Sequence, residues 1–274
     1  MVSRIVVMSG LLVSIGLWTG CGRTDSESTR IVVTGSSTVA PMLGDMARHY
    51  ESLHRGVRVD VQTGGSSRGI ADTRRGLADI GMVSRAPYED EDDLLWHQNA
   101  RDGIAMIVHT DNPIREIDTD TVRAIFRKEI RRWSELDGQD KPITVISKAD
   151  GRSTLELFLA YTGLESAEIR ADTVIGDNEH GITAVIGDPN AITYVSIGTA
   201  EYSVNEGRPL RLLPLDGISA TTSRVRAGDY PLSRPLHLVT RPDPSEEVLR
   251  FIEFTQSAEA ASIVEAHYFI PLSD

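Results

Sequence analysis

The sequence predicts an α/β fold with helix-covered sheets, and two observations carry the prediction. Short β-branched runs alternate with amphipathic stretches along most of the chain. The composition, 40% hydrophobic and 25% charged over 274 residues, is that of globular material with enough length for roughly one or two domains. Residues 30–35 form a β-branched run ending at Gly35 and read as a buried strand. Residues 40–54 have helical spacing, with Met42, Met46, Tyr50 and Leu53 recurring on one face. Val57, Val59 and Val61 alternate, which predicts a second strand over 57–63. A short helix over 67–76, a strand over 79–83 and a helix over 90–98 follow. A fourth strand over 104–108 is closed by the turn chemistry of Asp111-Asn112-Pro113. Beyond it the pattern predicts helices over 119–126 and 153–159 and strands over 143–146 and 192–195. A strand over 236–240 and helical stretches over 245–257 and 258–266 precede Phe269-Ile270-Pro271-Leu272. No internal repeat of solenoid length is present.

Charge and cysteine content exclude several function classes. With 28 Lys+Arg against 40 Asp+Glu the formal charge is −12. No basic stripe is available for nucleic acid. The single cysteine, Cys21, rules out an internal disulfide framework and any cysteine-based zinc or iron–sulfur site. The seven histidines form no metal-ligand pattern, so neither metal nor cofactor is expected. The acidic run Glu89-Asp90-Glu91-Asp92-Asp93 reads as the first turn of the helix expected over 90–98. Gly64, Gly65 and Gly69 do not make a P-loop, because no Gly-Lys-Ser/Thr follows.

The N-terminus reads as a targeting segment. One positive charge is followed by an apolar run over 5–17, then by Trp18-Thr19-Gly20-Cys21. The run is too short to span about 30 Å of hydrocarbon and suits a signal-peptide core. A cysteine after a small residue at this point resembles a bacterial lipoprotein signal. Residues 1–20 are therefore expected to be removed, Cys21 to carry lipid, and residues 21–29 to act as a tether. Export to the periplasm or cell surface, with membrane anchoring, is the expected localisation.

The informative feature is the chemistry at the strand ends. Gly35-Ser36-Ser37-Thr38, Gly65-Ser66-Ser67-Arg68-Gly69, Ser84-Arg85 and Lys148-Ala149-Asp150-Gly151-Arg152-Ser153-Thr154 each follow a predicted strand. Three of the four precede a helix. Helix N-termini present free N–H groups and partial positive charge, glycine permits close approach of the backbone, and hydroxyls add donors. Any one such cluster is ordinarily an N-cap satisfying its own helix. Four on successive strand ends, which face one crevice in an open α/β sheet, point to an oxyanion site.

At these residues the chain resembles the phosphate-binding proteins of the Pst ABC importer. Supporting stretches are Ile125-Phe126 with Trp133-Ser134-Glu135-Leu136, Ala191-Ile192-Thr193-Tyr194-Val195, Tyr230-Pro231-Leu232-Ser233-Arg234-Pro235-Leu236 and Tyr268-Phe269-Ile270-Pro271-Leu272. The resemblance implies a two-lobed periplasmic-binding-protein fold of type II, each lobe a helix-flanked mixed sheet. One lobe would comprise 30–109 and 198–274, the other 110–197. It further implies a monomeric, non-enzymatic receptor that passes inorganic phosphate to ABC permease subunits. The ligand would be bound by Ser37, Thr38, Ser66, Ser67, Ser84, Arg85, Lys148, Asp150, Arg152, Ser153 and Thr154. Lys148 stands where the family usually has arginine, with Asp150 expected to hold it in place, and Arg152 stands where small residues are usual. Arginine forks two bonds onto an oxyanion while lysine acts as a point charge, so either could be the main cation. The carboxylate that some members place after the third strand is missing at Ser84-Arg85, which leaves sulfate as an alternative ligand. A phosphoester hydrolase using Ser37 or Ser67 is the alternative from another class, and the sequence places no base near either.

Overall fold

One 15-residue strand, Leu95–His109, ties the two halves of the molecule together. The computed structural model describes residues 29–272, so Cys21 and the segment around it lie outside the described residues. In chain order, β1 (Thr29–Gly35) leads to α1 (Ala40–Leu53), β2 (Val57–Thr63) to α2 (Ser66–Arg74), and β3 (Ile80–Val83) to β4 (Leu95–His109). Next come α3 (Thr119–Phe126), β5 (Thr144–Lys148), α4 (Ser153–Thr162), β6 (Thr173–Ile175) and α5 (Asn178–Gly187). β7 (Ala191–Ser196), α6 (Ile197–Asn205), β8 (Leu210–Leu212) and α7 (Thr222–Ala227) follow. β9 (Ser233–Thr240), α8 (Glu246–Thr255) and α9 (Ala258–Ala266) complete the fold.

The strands run in the order β2-β1-β3-β9-β4-β7-β5-β6, with β8 beside β4. The first half of β4 pairs antiparallel with β9, from Leu95 opposite Thr240 to Gly103 opposite Ser233. Its second half pairs with β7, from Ile104 opposite Ser196 to Val108 opposite Ile192. The change of partner falls between Gly103 and Ile104. A side chain at Gly103 would stand 2.7 Å from Ile197 Cδ1 and 2.9 Å from Val225 Cγ2, so glycine lets α6 and α7 pack against the crossing point.

Two main buried clusters define the lobes. Ile31, Val33, Met42, Met46, Tyr50, Leu238 and Phe251 belong to the first, which α1, α8 and α9 cover. Ile107, Phe126, Phe158, Tyr194 and Leu213 belong to the second, with Phe158 stacked on Tyr194 at 4.1 Å. The second core also takes in Ile104–Val108 and buried side chains from Ala200 to Leu232. The boundaries expected after 109 and before 198 had placed those segments in the first lobe. Strand pairing explains the difference, since the latter half of β4 and β8 are bonded within the second sheet. Helix starts follow ordinary rules: Asp118 accepts from Thr121 N at 2.7 Å and Asp177 from His180 N at 2.8 Å.

The helix expected over 90–98 does not form. Residues from Leu95 onward are extended because β9 offers them a full antiparallel ladder, broken by a bulge at Asn99. The acidic run before them is a turn, exposed except for Glu91, in which two carboxylates pair with arginines. Glu91 takes both terminal nitrogens of Arg85 at 2.7 Å, and Asp93 pairs with Arg74 at 2.7 Å.

Candidate functional site

Three of the predicted strand-end hydroxyls, drawn from both lobes, converge on one guanidinium, that of Arg234 in β9. Its Nη1 donates to Ser84 Oγ at 3.3 Å and to Thr154 Oγ1 at 3.0 Å, while Nη2 donates to Thr38 Oγ1 at 3.2 Å. Ser84 and Thr38 come from the first lobe and Thr154 from the second. The arginine is 3% exposed. Asp102 of β4 fixes it, with Oδ2 accepting from Nη2 at 2.8 Å and from Nε at 3.1 Å. The other oxygen of Asp102 accepts from Ser196 Oγ at 3.1 Å and Gly198 N at 3.3 Å. A buried ion pair is tolerable only when its remaining hydrogen-bonding capacity is met, and Ser196 and Gly198 meet it here.

The backbone brings the hydroxyls to this point by close glycine contacts. Gly35 has φ +134°, and a side chain there would lie 2.3 Å from Met82 O, so only glycine lets β1 turn out against β3. Ser66 begins α2 with its Oγ accepting from Ser84 N at 3.2 Å, which ties two of the predicted loops together. Ser153 and Thr154 begin α4, whose N-terminus projects partial positive charge into the cleft. Ser153 Oγ is buried and has no hydrogen-bond partner among the described residues. A buried hydroxyl left unpaired costs about 1–3 kcal/mol, which suits a group reserved for a ligand.

A second cation lies beside the first. Lys148 is buried, and its Nζ donates to Asp177 O at 2.6 Å and approaches Asn178 Oδ1 at 3.4 Å. Asn178 in turn donates to Thr38 Oγ1 at 3.0 Å, which links Lys148 to the Arg234 cluster. Burial pushes the Lys148 ammonium down to about 7; Asp177 opposes the shift, and Arg234 and Arg152 add to it.

The remaining predicted residues are placed differently. Ser37 is half-buried and lines a groove of about 870 Å³ with Pro41, Asp45, Arg48, Asp177 and Asn178, and its hydroxyl is not among those that Arg234 contacts. Ser67 is exposed at the contact between lobes. Asp150 is exposed too, and the partners of Lys148 are Asp177 and Asn178 instead. Arg152 is half-buried against Gly65 of the opposite lobe. Arg85 is buried, but its terminal nitrogens are taken by Glu91 and its charge also faces Glu156 at 3.0 Å. Sequence reasoning missed Arg234, Asp102 and Asn178 as site residues. The stretch carrying Arg234 was part of the family resemblance and was the available signal for it. Asp102 and Asn178 are single polar residues whose role depends on long-range pairing.

A two-lobed mixed sheet with an anion-suited cluster in the cleft defines the class, and a profile of the PBP superfamily domain matches residues 22–259. The chain belongs to that superfamily. Within it, the resemblance to the Pst phosphate-binding proteins holds across the molecule. It is 27% identical over 256 residues to the phosphate-binding protein PstS of Bacillus subtilis, covering 91% of this chain and 83% of the relative. It is 26% identical to PstS of Borreliella burgdorferi, covering 97% and 98%. Among solved structures, one from Clostridium perfringens, assigned as a phosphate ABC transporter substrate-binding protein and holding bound phosphate, superposes with a TM-score of 0.83. It shares 28% identity and covers 89% of this chain and 100% of its own. An ABC-type phosphate transport receptor from Vibrio cholerae gives 0.71 at 27% identity, with 88% and 99% covered.

Proposed function

We propose that this protein is a receptor that captures inorganic phosphate between its lobes and delivers it to an ABC permease, without converting it chemically. The observation that carries the reading is the Arg234 cluster, in which Thr38 and Ser84 of one lobe meet Thr154 of the other around a buried, fixed guanidinium. Arg234, Lys148, the hydroxyls of Thr38, Ser66, Ser84, Ser153 and Thr154, and the N-termini of α2 and α4 supply the donors. Each hydrogen bond to a charged group nets about 1.5–3 kcal/mol, and micromolar affinity needs about 8. A handful of bonds from this set suffices after the cost of lobe closure. The net charge of −12 is no obstacle, because distant charges are screened over a Debye length of about 8 Å. The names borne by the PstS relatives support the same ligand and the same transport partner. The N-terminal segment supports export and lipid attachment at Cys21.

Sulfate is the second reading, and one observation favours it. Asp102, Glu91 and Glu156, which face the cations Arg234 and Arg85, already accept bonds from protein groups, so none of them is a dedicated acceptor for the proton of hydrogen phosphate. Calorimetric titration of the ligand-free protein with phosphate and with sulfate tests both readings. One phosphate per chain, with sulfate bound more weakly by a modest factor, is the expected result. Sulfate binding alone would establish the second reading, and turnover of a generic phosphoester would overturn the non-enzymatic one.

A further inference from the structure

Outside the Arg234 cluster, the lobes meet at a second polar contact centred on Glu156 of α4. Its Oε2 lies 3.0 Å from Arg85 Nε and accepts from the Tyr88 hydroxyl at 3.1 Å, while Oε1 accepts from Ser67 Oγ at 3.4 Å. Arg85, Tyr88 and Ser67 all belong to the first lobe and Glu156 to the second. Beside this contact the backbones also touch, with Ser67 N donating to Gly151 O at 3.3 Å. We propose that Glu156 is a positioning residue for the anion site, a latch that holds the lobes closed over bound phosphate and sets its rate of release.

The placement of the partners supports the assignment. Arg85 follows Ser84, which bonds Arg234, and Glu156 sits one turn beyond Ser153 on the helix whose N-terminus faces the site. The site contacts and the latch therefore ride on the same two rigid segments. Arg85 is held ready on the first lobe: Glu91 engages both terminal nitrogens, the Tyr88 ring lies 3.8 Å from the guanidinium carbon, and its carbonyl meets His237 Nδ1 at 2.9 Å. Only Nε is left to face across the cleft. Because Glu91 already neutralises Arg85, Glu156 is a second carboxylate on one cation. That pairing is weaker than an exclusive one, which suits a contact that must open at the permease.

The inference rests on the reading of the cleft as a phosphate site, and the test separates the two. Phosphate association and dissociation are followed by stopped-flow fluorescence in the parent, Glu156→Gln, Glu156→Ala and Tyr88→Phe. Loss of a contact formed only after docking appears in dissociation more than in association. Glu156→Ala is expected to release phosphate roughly tenfold faster, Glu156→Gln and Tyr88→Phe by smaller factors, with association and the melting temperature of the ligand-free protein near the parent's. Tyr88 is exposed, so its variant keeps the test open should Glu156→Ala fold poorly. Parental release rates in the folded variants, or losses confined to association, would overturn the latch. A parent that fails to bind phosphate would overturn the functional reading instead.

Discussion

At the scale of single residues, Arg234 carries the most. It touches hydroxyls from both lobes, and its buried pairing with Asp102 gives it a structural role beside the ligand-binding one proposed for it. Arg234→Ala is expected to abolish phosphate binding in calorimetry and to destabilise the fold by about 3–5 kcal/mol, because Asp102 is left as an unpaired buried charge. Arg234→Lys keeps the charge but loses the fork, so binding should weaken with a smaller fall in melting temperature. Lys148 gives a pH prediction. Its folded value of about 7 lies below the ordinary 10.5, so between those values the unfolded chain holds more protons at this site. Stability must then rise with pH from about 7 towards 10.5, and the full cost of burying the charge is borne below 7. Melting curves of the ligand-free protein over pH 7 to 9 should show this rise, and Lys148→Met should flatten it.

At the scale of elements, the site depends on helices that begin where strands end. α2 and α4 start at opposite walls of the cleft, and the loops before them approach so closely that a side chain at Gly65 would lie 2.7 Å from Gly151 O. Gly65 has φ +96° and ψ 158°, a conformation almost reserved for glycine. Gly65→Ala should cost about 1–3 kcal/mol of stability from backbone strain and should also weaken phosphate binding by keeping the lobes apart. Calorimetry with the folded variant checks this, and unchanged affinity would show that the loops need not meet. β4 is the other decisive element. It belongs to both sheets, so a rotation between lobes must be absorbed near Gly103, where its partner changes from β9 to β7.

At the scale of the whole molecule, the proposed function links ligand binding to lobe closure. Phosphate at a thousandfold excess over its dissociation constant should add about 4 kcal/mol of stability, read as a rise in melting temperature that sulfate reproduces only partly. The N-terminal reading adds a prediction about location. Cys21→Ser should release the mature protein from the membrane fraction or leave the precursor uncut, and intact mass shows which. A mature N-terminus elsewhere, without acyl mass, would remove lipid anchoring from the proposal.

Most of the first lobe and the positions of the site loops were legible in the sequence, because they are written in local chemistry. Alternating valines over 57–63, the inward face of Met42, Met46 and Tyr50, and hydroxyls after β-branched runs express preferences that nearby residues impose on one another. The fate of 90–98 was not legible. Its charged and apolar residues satisfy a helical pattern, and only β9, some 140 positions away, supplies the ladder that makes it a strand. The same holds for the cations. Lys148, Arg152, Arg85 and Arg234 look alike as isolated letters, and tertiary pairing alone separates them. Glu91 claims the terminal nitrogens of Arg85, and Arg152 rests against Gly65. Lys148 is buried on Asp177 and Asn178, and Asp102 turns Arg234 toward the hydroxyls. The sequence by itself determined the class of fold and the loops that meet in the cleft. Which charge faces the cleft was decided by the tertiary structure, because a buried cation goes where its counter-charge and acceptors hold it.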